Sequence, residues 1–164
     1  MSHKTTRWLI VATTLALCAA PTLAADQAHQ HEGHGAATPT LNNGQKWPTD
    51  APLRQAMAGI QTALQPKLQA IHENKLTAAQ YRTLAKQTNT QIAFMVANCK
   101  LAPEADAQLH LIIAELGAAA EAMSGKDKTQ SRQNGAVRLQ HALETYGTYF
   151  DHPGGSVVGA THKH

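Results

Sequence analysis

Between Leu53 and Phe150 apolar residues recur at every third or fourth position in separate runs, and no stretch alternates strictly enough to read as a strand. A step of three to four returns side chains to one face of an α-helix. The spacing therefore confines the chain to helices that each bury one stripe. The first stripe is Leu53, Met57, Ile60, Leu64, Leu68 and Ile71. The second is Tyr81, Leu84, Thr88, Ile92, Met95 and Cys99, widened toward its end by Phe94 and Val96. Leu109, Ile112, Leu116, Ala120 and Met123 make the third, and Ala136, Leu139, Leu143, Tyr146 and Phe150 the last.

The punctuation between the stripes agrees with them. Asp50 precedes Ala51-Pro52, where a carboxylate can cap free N–H groups and proline is tolerated in the first turn. Pro66 falls inside the first stripe and removes one hydrogen bond, which predicts a bent or broken helix ending near Asn74. Thr77-Ala-Ala-Gln80 is a capping box for the second helix. Pro103 opens the third, with Glu104 and Asp106 suitably acidic near its N-terminus, and Ser124-Gly125 ends it. Asp127 with Gln130 offers a capping box for the fourth, which Gly135 and Gly147 weaken and His152-Pro153-Gly154-Gly155 stops. Short connections between four such helices predict an all-α, up-down-up-down antiparallel four-helix bundle over 49–151, with disordered tails.

The ends carry different information. Residues 1–25 have a basic start at His3, Lys4 and Arg7, an apolar run from Trp8 to Ala20, then Pro21 and the small residues Ala24 and Ala25. This is the pattern of a cleaved secretory signal peptide, and it implies a periplasmic protein. The apolar run is shorter than the roughly 20 residues a membrane span needs, so no span is expected after cleavage. Leu17 before Cys18 is larger than a lipoprotein box accepts, which argues against lipidation. Without Lys4 and Arg7 the chain keeps twelve Lys and Arg against eleven Asp and Glu, so its calculated pI near 9.0 owes part of its value to the leader. With no basic run and few aromatics, nothing points to nucleic acid.

Residues 26–48 are rich in His, Gly, Gln, Ala and Thr and read as a disordered tail. Within it His29, His31 and His34 form a local group of imidazoles that can take Cu, Zn or Ni without any fold. Residues 152–164 read as a second, flexible tail carrying His162 and His164.

A candidate site emerges around the corner at Leu101 to Pro103. In an antiparallel bundle, residues equally far from a connecting corner lie at one height. By that measure Met57, Met95, His110 and His141 fall in one layer, one per helix, with Cys99 a turn from Met95. Thioether, thiolate and imidazole together select copper, Cu(I) above all. Asp106, four residues before His110, is placed to orient its ring. The alternative for each is plain: methionine on a stripe also fills core, Cys99 also serves as a small buried thiol, and a histidine at a stripe border also reaches water. No third orienting group, paired carboxylates or His-Glu-x-x-His accompanies Cys99 and His110, so no enzyme is expected.

The stretch Asp50-Ala-Pro-Leu-Arg-Gln-Ala-Met57, followed by three further helices after an export signal, resembles periplasmic cytochrome b562 and its relatives. That resemblance implies a b-type haem held by a methionine of the first helix, matched by Met57, and a histidine of the fourth, matched loosely by His141. The absence of Cys-x-x-Cys-His excludes covalent haem attachment. The phrases Asn-Cys-Lys-Leu-Ala-Pro-Glu-Ala-Asp-Ala-Gln-Leu-His and Tyr-Phe-Asp-His-Pro-Gly are similar to a group of small exported proteobacterial proteins, over about residues 45 to 154. The leading expectation is a copper carrier or buffer, with a metal ion and another periplasmic metal-handling protein as its partners. The alternatives are a haem-binding electron carrier and a non-metal adaptor or chaperone.

Overall fold

The computed structural model describes residues 37–153. The expected signal peptide, His29, His31, His34 and the segment beyond Pro153 lie outside the described residues. The described chain is all-α: α1 (Ala51–Leu64), a 3-10 turn (Gln65–Lys67), α2 (Leu68–His72), α3 (Ala78–Asn98), α4 (Pro103–Ser124) and α5 (Arg132–Tyr149). α1, the 3-10 turn and α2 together make the first of four helical rods.

Each boundary has a local cause. Asp50 Oδ1 accepts the N–H of Leu53 at 2.8 Å, an N-cap, and Pro52 sits in the first turn where its missing N–H costs nothing. Pro66 has no N–H for the ladder, and the rod tightens into the 3-10 turn there, so the expected break is found. It ends at Asn74, whose φ of +50° is left-handed. The capping box at Thr77 is complete: Gln80 N–H donates to Thr77 Oγ1 at 3.2 Å, and Thr77 N–H donates to Gln80 Oε1 at 2.8 Å. Gly125, at φ +80°, closes α4.

The fourth rod begins differently from expectation. Asp127 does not cap it; its Oδ1 accepts from Thr129 N–H at 2.8 Å in a tight local turn. Ser131 is the cap instead, its hydroxyl accepting from Asn134 N–H at 3.0 Å. A serine three residues before an Asn lacks the Glu or Gln signature, which is why the sequence pointed to Asp127.

All four stripes converge on one core. Leu53, Met57, Ile60, Leu64, Ile71, Leu84, Met95, Leu109, Ile112, Leu116, Met123, Leu139, Leu143, Tyr146 and Phe150 are buried in it. Full burial of one such side chain contributes about 1.5–3 kcal/mol. That outweighs the roughly 1 kcal/mol each of Gly135 and Gly147 costs as an interior helix residue, and α5 forms through both of them. α4 packs against both α3 and α5, and α1 against α3. Val96, expected to widen the second stripe, faces outward instead and is 69% exposed; it stands one position past the buried Met95, which is 100° around the helix.

The segment 37–48, expected within a disordered tail, is ordered. Trp47 N–H donates to the Tyr149 carbonyl at 2.8 Å, and Asp151 N–H donates to the Trp47 carbonyl at 2.8 Å. Trp47 packs half-buried on the core, and its indole N–H donates to Thr40 O at 2.6 Å. One tryptophan in a polar stretch supplies enough apolar surface to dock it, which average composition hides. No helix among the described residues is long and apolar enough to cross a membrane.

Candidate functional site

The residues singled out from the sequence separate into interior and surface. Met57 and Met95 lie in the core with at most 1% exposure. His110 and His141 are exposed on the outer faces of α4 and α5. Levels along a rod were read from the sequence; the rotation about each rod axis turns these two rings away from the methionines. Among the described residues no group of three or more His, Cys, Asp and Glu side chains gathers at one point.

His110 meets Asp106 chiefly through the backbone carbonyl, where the carboxylate was expected to orient the ring. Its Nδ1 donates to the Asp106 carbonyl at 2.9 Å and lies 3.4 Å from the Asp106 carboxylate, which leaves Nε2 facing outward with its lone pair free. His141 has no side-chain hydrogen bond among the described residues. It lines a pocket of about 160 Å³ with Ala37, Thr38 and Pro39 of the N-terminal arm and Ile112 and Glu115 of α4.

Cys99 closes α3, its N–H donating to Met95 O at 2.9 Å. Its half-buried thiol is pushed up to about 11, first by burial and then by the charge of Asp50, which also accepts its hydrogen bond; Asp106 adds to the effect. At neutral pH this is a protonated, poorly nucleophilic thiol, and a metal would have to displace a well-held proton. The other Asp50 oxygen, Oδ2, accepts from Lys100 N–H at 2.6 Å. One carboxylate thus caps α1 and ties down the α3–α4 corner.

The same end holds a pair the sequence did not mark. Tyr146, with no exposed surface, shares a hydrogen bond of 3.0 Å with His152 Nδ1, and the rings meet edge-on with centroids 5.8 Å apart. Phe150 stacks on Tyr146 at 5.3 Å. His152 read only as part of a helix stop; its place six residues after Tyr146, just past a helix end, is the one signal that could have found it. Burial and then the charge of Arg54 hold the His152 imidazole below its ordinary 6.5, with Asp151 opposing. The unfolded chain therefore takes up this proton at a higher pH than the fold does. Stability from this group is fully present above about pH 6.5 and falls as pH drops from there through the lowered value. The melting temperature should decline across that window in the native chain, and His152→Phe, which keeps a ring against Tyr146, should remove that part of the decline. Identical pH profiles for the two proteins would show that His152 does not couple to folding.

Comparison with protein-family models, with curated proteins and with solved structures returned no match.

Proposed function

We propose that the protein is an exported, periplasmic copper-binding carrier or buffer that captures its ion through imidazoles where the histidine-rich segment joins the helices. The observation that carries this reading is the pocket beside His141, walled by Ala37, Thr38 and Pro39. His34 stands three positions before Ala37 in the chain. His29, His31 and His34 precede that arm in the chain and supply imidazoles that can take the ion without any fold. Imidazole nitrogen suits Cu(II), which heads the affinity order of the divalent first-row metals.

The burial of Met57 and Met95 and the firmly protonated Cys99 weigh against the thioether and thiolate ligation expected from levels alone. The residues present also do not fit a b-type haem. Met57 is enclosed by the core, His141 lies on the outside of α5, and the Tyr146–Phe150 stack occupies the end of the fourth rod. The reading assigns the protein no catalysis. It takes the four rods as an up-down-up-down antiparallel bundle. The hydrogen bond from Gln133 Nε2 to Ile71 O at 2.8 Å and the Lys100–Asp50 contact at the other end support this arrangement.

Copper titration of the mature protein against a competing chelator tests the proposal. Replacing His29, His31 and His34 with Ala should weaken Cu(II) binding at least about tenfold, or about 1.4 kcal/mol. Adding His141→Ala should weaken it further. Unchanged affinity in the triple variant would sink the reading, and metal analysis of protein from its own periplasm would identify the ion carried.

A further inference from the structure

A second surface feature is independent of the histidines. Most of the described cations are engaged. Lys46, Arg54, Lys67 and Arg132 donate to the backbone carbonyls of Gly147, Thr49, Ala63 and Met123, and Lys75 and Arg138 pair with Glu73 and Glu115. Arg82, Lys86, Lys100, Lys126 and Lys128 make no such side-chain contact among the described residues. Three of these five, Arg82, Lys86 and Lys126, line a single open groove of about 510 Å³ between α3 and the end of α4.

We infer that this groove docks an acidic peptide segment of a partner protein. Arg82 and Lys86 stand one turn apart on α3, so both project along the same face, and Lys126 approaches from just beyond the C-terminus of α4. Glu121 is the one carboxylate on the walls, facing three cations, and it forms no ion pair with any of them. Two of the α3 residues that line it, Ala85 and Ala93, carry only a methyl group, so a peptide backbone can lie close to α3 there. Asn89, exposed beside them with its amide unengaged, can bond that backbone. The offset of Arg82 and Lys86, four residues or about 6 Å along α3, suits a chain of spaced carboxylates over one compact anion. A helix C-terminus next to Lys126 disfavours concentrated negative charge, whereas spaced carboxylates can each meet one cation. Exposed pairs of this kind are weak singly and screened by salt, so the partner is held reversibly.

The test is fluorescence anisotropy of a labelled peptide of alternating Glu and Ala, titrated with the full chain. Binding is expected, weakening about tenfold or more as salt rises from about 0.05 M to about 0.5 M. Arg82→Glu with Lys86→Glu should abolish it, Arg82→Gln with Lys86→Gln should weaken it, and Glu121→Gln should tighten it. Lys100→Glu with Lys128→Glu, cations outside the groove, should leave it within about twofold, since they lie beyond direct contact. All five positions are exposed at the surface, and matching helical circular dichroism establishes that the variants fold. EDTA should not alter binding, which separates this surface from copper capture. No binding, equal loss in the Lys100/Lys128 control, or displacement of the peptide by inorganic phosphate at equal concentration would overturn the inference.

Discussion

Asp50→Ala is expected to cost about 2–3 kcal/mol of stability, from loss of an N-cap worth about 1 kcal/mol and of a charge-assisted bond worth about 1.5 kcal/mol at an exposed site. In a fold of this size that is a fall of roughly 10 °C in melting temperature. The effect is large for one surface carboxylate because its two oxygens serve different elements: Oδ1 holds the first turn of α1, and Oδ2 holds the backbone of Lys100 at the α3–α4 corner. The variant should also change the chemistry of Cys99. The thiol is raised to about 11 partly by the Asp50 charge and its hydrogen bond, so removing the carboxylate should speed reaction with a thiol reagent at mildly alkaline pH. Burial, the first cause, remains, and the thiol should stay slower than free cysteine. Asp50→Asn, which still caps, should fall between. A melt within about 1 °C of wild type for Asp50→Ala would mean that the corner is held by packing alone.

Gly135→Ala should destabilise the protein although alanine is the better helix former. A Cβ at this position would lie 2.8 Å from Ala122 Cβ, 2.8 Å from Met123 N and 2.9 Å from Ala119 O. Two of those atoms are backbone and cannot rotate away. Against a gain in helix propensity of about 1 kcal/mol, overpacking costs about 1–3 kcal/mol, and with two backbone atoms among the close contacts the upper part of that range applies, for a net loss of up to about 2 kcal/mol. The same substitution at Gly147, where a Cβ meets nothing within 4 Å, should stabilise by about 0.5–1 kcal/mol. Opposite signs in denaturant melts are the result expected. A stabilised Gly135→Ala would require that α4 and α5 part without cost.

The contrast between those glycines marks how far sequence could take the reading. Along the chain, local chemistry was legible: Asp50, Pro66, Thr77, Pro103 and Gly125 each act within one or two turns of themselves, and the structure finds them where their side-chain chemistry predicts. Stripe residues were legible too, because period alone names the buried face. What was hidden depends on rotation and on residues far apart in sequence. His110 sits one position past Leu109 and His141 two past Leu139, and each position is 100° around a helix, enough to move a ring from the core to the surface while its level changes little. Asp50 with Lys100, and Trp47 with Asp151, are partners across about half and nearly all of the fold, and no local pattern announces them. Gly135 looked like a flaw in a helix and proves to be the contact that lets two helices touch.

The backbone bonds from Trp47 to Tyr149 and from Asp151 to Trp47 also change what kind of object the fold is. They join the entrance of the first rod to the exit of the last, so the described helices form a ring already closed by hydrogen bonds. Sequence order then matters less to the packing than neighbourhood around that ring. A short covalent link between the ends, with a new opening in the turn at 126–131, would preserve every helix contact described above. Pulling on Trp47 and Asp151 would load those bonds before the load reached the core.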